Sequence, residues 1–104
     1  MIQSVEEKMQ KIHALKKEIG NYKGKLGIWE VYIMELVADR PNSYGHYEKD
    51  CVFYIYAVDY AGDFHNVSST EDEVLALQRL LMLVRAQSNL QRMHDNIARN
   101  VHHI

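Results

Sequence analysis

The chain has 104 residues, 47% hydrophobic and 25% charged, with five glycines and one proline, a balance that excludes low complexity and extended disorder. Its single cysteine, Cys51, excludes an intramolecular disulfide, and its length sets one domain, residues 1–104, as the expectation. The net charge of −2 hides three blocks: residues 1–25 hold six Lys against three Glu, residues 26–73 two cations against ten acids, and residues 74–104 four Arg against one Asp.

Ser4-Val5-Glu6-Glu7 reads as a capping box. It predicts a helix over about 5–19, with an apolar stripe of Val5, Met9, Ile12, Leu15 and Ile19 at spacings of three and four. Gly20, Gly24 and Gly27 break the chain after it. The first twenty residues lack the apolar run of a signal peptide, and no segment reaches the roughly 20 apolar residues of a membrane span. A soluble, cytoplasmic protein with no membrane partner is expected.

Residues 28–38 (IWEVYIMELVA) are rich in aromatic and β-branched side chains and predict a strand. Residues 39–50 read as a long polar connection. Residues 51–60 (CVFYIYAVDY) predict a second strand, but it is apolar on both faces. Cys51, Phe53, Ile55 and Ala57 suit a core facing helices, which makes Cys51 a buried, inert thiol. Val52, Tyr54, Tyr56, Val58 and Tyr60 then need another explanation, and half-exposed tyrosines suit a protein interface. Gly62 in YAGDF suits a hairpin turn before a short third strand at 64–68.

Thr70 and Ser69 offer caps for a second helix over about 71–100. Nine of the eleven residues from Val74 to Val84 are apolar, so that half needs cover on more than one side. Beyond Arg85 the apolar pattern narrows to Leu90, Met93, Ile97, Val101 and Ile104, a coiled-coil-like seam with Asn100 placed to fix register between two copies. The predicted fold is α+β: an antiparallel two- or three-stranded sheet packed against an N-terminal helix and a long C-terminal helix, expected as a homodimer.

No reaction motif appears. His46, Glu48 and Asp50 form one weak metal-ligand grouping, and Asp59, Asp63 and His65 another; turn chemistry explains them better, and no metal or cofactor is expected. The expected function is a non-enzymatic protein-binding module, a small inhibitor or adaptor of the phage anti-defence or immunity type. It would occlude a protein partner, a nucleic-acid-handling one among the candidates, through Tyr54, Tyr56, Tyr60, Glu30, Glu35, Asp59 and Asp63. The alternative is a nucleic-acid-binding regulator using Arg85, Arg92 and Arg99, which recur every seven residues. A small metal-dependent enzyme is the third reading.

Overall fold

A computed structural model describes residues 2–102. In chain order it contains α1 (Ile2–Gly20), β1 (Glu30–Tyr32), β2 (Ser43–Lys49), β3 (Val52–Val58), β4 (Phe64–Thr70) and α2 (Glu73–His102). The class is α+β, with four strands in the order β1-β2-β3-β4. β2–β3 and β3–β4 are antiparallel hairpins, and β1 joins the edge of β2 in parallel.

Both helices lie on one face of the sheet. Phe53 and Ile55 of β3 and Val31 of β1 pack with Ala76, Leu77, Leu80, Leu81 and Val84 of α2 and Ile19 of α1. Leu26, in the loop after α1, completes this core. Lys11 and Leu15 lie against Val74 and Gln78, while Glu18 and Tyr22 both engage Arg85. Residue numbers therefore climb together along the two helices, which run parallel. Arg79 ties α2 to β4 by donating to Ser68 Oγ and to the Ser69 carbonyl.

The helix starts differ from the sequence reading. α1 begins at Ile2, which leaves Ser4 inside the helix rather than capping it. The cap of α2 is Asp72, whose Oδ1 accepts from the Val74 N–H at 3.0 Å. Thr70 Oγ1 instead accepts from the Asp72 N–H, fixing the turn that presents the cap.

The central part of the sheet also differs. The strand expected at 28–38 stops at Tyr32, and β2 forms within the residues expected to be a polar connection. Asp50 and Cys51 are the two central residues of the β2–β3 turn, with φ of 53° and 64°. Positive φ at both positions matches the twist of a tight hairpin, and it leaves Cys51 exposed at the tip instead of buried.

The second face of β3 is covered in part by the protein itself. After β1 the chain turns at Met34, φ 54°, where the Met34 N–H donates to His46 Nδ1 at 3.1 Å and the Glu35 N–H donates to the His46 carbonyl at 3.0 Å. It then crosses Tyr56. The Tyr56 hydroxyl donates to the Glu35 carbonyl at 2.6 Å and accepts from the Val37 N–H at 3.0 Å. Gly45, directly across from Tyr56 on β2, supplies the room, because a side-chain carbon there would overlap the Tyr56 ring.

Candidate functional site

The side of the sheet away from the helices carries a continuous aromatic run. Tyr47 stacks on Tyr54 with ring centroids 5.1 Å apart and touches Tyr56 at 5.9 Å; Tyr56 stacks on Phe64 at 5.4 Å. Strand alternation and the pairing of Tyr47 with Tyr54 put these rings on one face of β2, β3 and β4. The Tyr47 hydroxyl reaches Asn66 Oδ1 at 3.2 Å, which fixes the ring without burying it. Tyr47 and Tyr54 are half-buried and Phe64 is exposed. Leu36 and Met34, on the crossing segment, are also exposed.

The structure sorts the tyrosines of β3. Tyr54 lies in the open part of the face. Tyr60 is 84% exposed, in the β3–β4 turn. Tyr56 is fully buried: its ring fills the space over Gly45 and its hydroxyl holds the crossing segment. It is a positioning residue for the face and cannot touch a partner directly. Burial pushes the Tyr56 hydroxyl pKa above its ordinary value, so it stays a donor.

The acids divide in the same way. Glu30 accepts a hydrogen bond from the Tyr32 hydroxyl, which raises the Tyr32 pKa, and lies 3.9 Å from Arg40. Glu35 is exposed on the crossing segment. Asp59 holds the turn together: its Oδ1 accepts from the Ala61 and Asp63 N–H groups at 3.0 and 2.9 Å, and its Oδ2 pairs with His65 Nε2 at 3.1 Å. The Asp63 N–H and His65 hold its carboxyl below the usual carboxylate range. Asp63 is exposed at the same turn. Among the described residues, no three His, Cys, Asp or Glu side chains come together as a metal site. His46, buried on the helix side of the sheet, is separated from Glu48 and Asp50, which are exposed.

The fold turns the charge blocks of the sequence into layers. α1, the loop after it and α2 bring most of the cations, and the acidic block forms the sheet, its turns and the crossing segment. Lys16 of α1 pairs with Glu73 at 3.6 Å, but most sheet-layer acids have no such partner. The sheet layer that carries the aromatic face is therefore net acidic, although Lys49 shares that face two positions from Tyr47, and Glu30 and Glu35 border a groove at the β1 edge together with Lys23.

The arginine row is partly committed. Arg85 is paired with Glu18, which raises the guanidinium pKa further. Arg92 donates to Asn89 at 3.2 Å, and Arg99 is exposed. Arg92 also borders an open groove of about 790 Å³ between the end of α1 and α2, where Lys25 and Arg92 are balanced by Glu18 and Asp95. Leu90, Met93 and Ile97 of the expected seam are exposed, while the Asn100 and Val101 side chains and Ile104 lie outside the described residues.

Sequence reasoning missed Tyr47, Phe64 and the crossing segment as parts of this face. The signal for Tyr47 was present: SYGHYEK carries two tyrosines and is followed by Asp50, a good first residue for a two-residue turn. No family model matches the chain, and no curated protein and no solved structure matches it.

Proposed function

We propose that this chain is a non-enzymatic protein-binding module that uses the aromatic face of its acidic sheet layer. The observation that carries the reading is the half-open Tyr47–Tyr54 stack, continued through Tyr56 to the exposed Phe64, on a sheet layer of net negative charge. An apolar centre with a polar rim is the usual anatomy of a recognition surface, and tyrosine is among its strongest anchors. The acidic layer selects a partner with a basic surface, such as one that normally binds phosphates. The size and charge layering suit a small cytoplasmic inhibitor or adaptor, of the anti-defence or immunity type, that works by occlusion. No helix of the described residues is long and apolar enough to cross a membrane.

The test is a nuclease-treated affinity capture with the wild-type chain, Tyr54→Ala, and the pair Glu30→Lys/Glu35→Lys. A stoichiometric partner that both variants lose supports this face. A partner that both variants keep refutes it. Binding of added nucleic acid by the purified chain, with a salt slope that falls on Arg92→Ala, would move the function to the arginine row.

A further inference from the structure

The two helices overhang each other at opposite ends of a molecule 61 Å long. α2 starts at Glu73, nearly level with Lys11, so the first turns of α1 have no α2 beside them. α1 ends at Gly20, so the last turns of α2 have no α1 beside them. Each overhang carries an open apolar stripe. Val5 and Met9 are 60% and 64% exposed on α1, and Leu90, Met93 and Ile97 are 50%, 58% and 58% exposed on α2.

We infer that these overhangs cover each other between two copies of this chain, with each α2 tail lying antiparallel on the N-terminal half of the other copy's α1. Spacing is the first argument. Read forward, Leu90, Met93 and Ile97 step by three and then four; read backward, Ile12, Met9 and Val5 step by three and then four. An antiparallel pair therefore aligns Met93 with Met9 and Ile97 with Val5 as facing layers in one register, and sets Leu90 level with Ile12, which is half-buried against the core of its own copy.

Topology is the second argument. Because the helices are parallel within one copy, a two-fold axis across the molecule brings both tails onto both α1 starts at once. The contact is reciprocal and closed, so it ends at a dimer. Met93 lies roughly 20 residues, or ~30 Å, further along the molecule than the level of Met9, at 1.5 Å per residue. The axis then crosses α2 about midway, near Met82. That side chain is 68% exposed, and three turns before Met93 it shares the same side of the helix to within about 20°.

Charge and area agree. Residues 4–10 hold Glu6, Glu7 and Lys8, net −1, and residues 90–99 hold Arg92, Asp95 and Arg99, net +1. In the stated register Glu6 flanks His94 and Lys8 flanks Asn96, so no like charges face each other across the seam. Val5, Met9, Met82, Leu90, Met93 and Ile97 from both copies supply apolar surface on the order of 1,000 Å², the lower bound of a specific interface. This contact uses neither the aromatic sheet face nor its acids.

The test combines sedimentation with directed cross-linking of the full chain in a Cys51→Ser background. A dimer is expected across the micromolar range. Met9→Cys/Met93→Cys should oxidise to a covalent dimer, because the two positions are at opposite ends of one copy and meet only between copies. Met93→Cys alone should stay uncross-linked. Ile97→Glu should weaken association at least about tenfold, since it places a charge in the seam. Its circular-dichroism melt at the lowest concentration should match wild type, as the residue is exposed in a single copy. A monomer at every concentration overturns the inference. So does a dimer in which Met93→Cys alone cross-links to itself, which would mean that α2 pairs with α2.

Discussion

Tyr56→Phe tests how the second face of the sheet is built. The substitution keeps the ring over Gly45 and removes only the hydroxyl, which makes two hydrogen bonds to the crossing segment: to the Glu35 carbonyl at 2.6 Å and from the Val37 N–H at 3.0 Å. A net value of about 1 kcal/mol for each gives a loss of roughly 2 kcal/mol. In a domain of this size that lowers Tm by about 10 °C. Tyr56→Ala also removes a fully buried ring and should cost about 3–5 kcal/mol more. Urea melts of the three proteins give the stabilities, and amide exchange at Val37 locates the effect. In Tyr56→Phe the Val37 amide should exchange much faster, while amides in the middle of β3 keep their protection relative to global unfolding. If Val37 exchange and Tm are both unchanged, the hydroxyl does not hold the segment and the account of the buried tyrosine is wrong. If β3 amides open along with Val37, the segment and the sheet are one cooperative unit.

Three further outcomes follow from local geometry. His46 is fully buried beside the core, its Nδ1 accepts from the Met34 N–H, and burial together with Lys16 lowers its pKa to about 4. An unfolded histidine titrates near 6.5, so the native state resists taking up a proton that the unfolded chain accepts. His46 stability is therefore intact above about pH 6.5 and is lost as pH falls toward 4, by roughly 3 kcal/mol in total; urea melts from pH 7 to 4 should show this loss, and His46→Gln should remove most of the slope. Asp72→Ala should cost about 1 kcal/mol through loss of the cap on Val74, read by thermal melt, with Asp72→Ser retaining most of it. Cys51 at its exposed hairpin tip should react with a thiol reagent in the native protein as fast as in urea; a large native-state protection factor would contradict the placement of the turn.

The elements whose identity depends on local pattern were legible in the sequence. The stripe of Val5, Met9, Ile12, Leu15 and Ile19 and the dense apolar run of Val74–Val84 predicted two helices packed on the sheet; both helices form, with Ile12, Leu15 and Ile19 at the core and Val5 and Met9 exposed. Alternation in residues 51–60 separated the helix-facing Phe53 and Ile55 from the opposite set. Gly62 marked its turn, with φ 87°. The failures have physical causes. Residues 28–38 have strand composition throughout, yet only three of them pair, because the chain leaves the sheet where the Met34 N–H meets His46. That is a tertiary contact across 12 positions, and propensity carries no information about it. β2 was hidden by polar side chains that an edge-proximal strand tolerates and by a turn whose positive-φ residues are Asp and Cys instead of Asn and Gly.

The site was half legible for a related reason. An apolar second face on β3 correctly implied that part of it is covered, and alternation placed Val52, Tyr54, Tyr56 and Val58 on that face, while Tyr60 falls in the turn beyond the strand. Alternation alone cannot say whether the cover is another chain or a distant piece of the same one. Here the chain itself covers one part of the face and leaves the next part half-open. Tyr56 is closed by residues 35–37, pinned through one hydroxyl, and Tyr54 two positions earlier is left half-open against Tyr47. The buried tyrosine and the open one therefore belong to a single construction. Gly45 lets Tyr56 lie flat, Tyr56 anchors the crossing segment, and the segment carries Glu35 and Leu36 as exposed residues beyond the buried ring. A chain that needed only a covered sheet would gain stability by extending that segment over Tyr47 and Tyr54 as well. Stopping short leaves aromatic surface exposed, a cost in stability that a partner surface would offset.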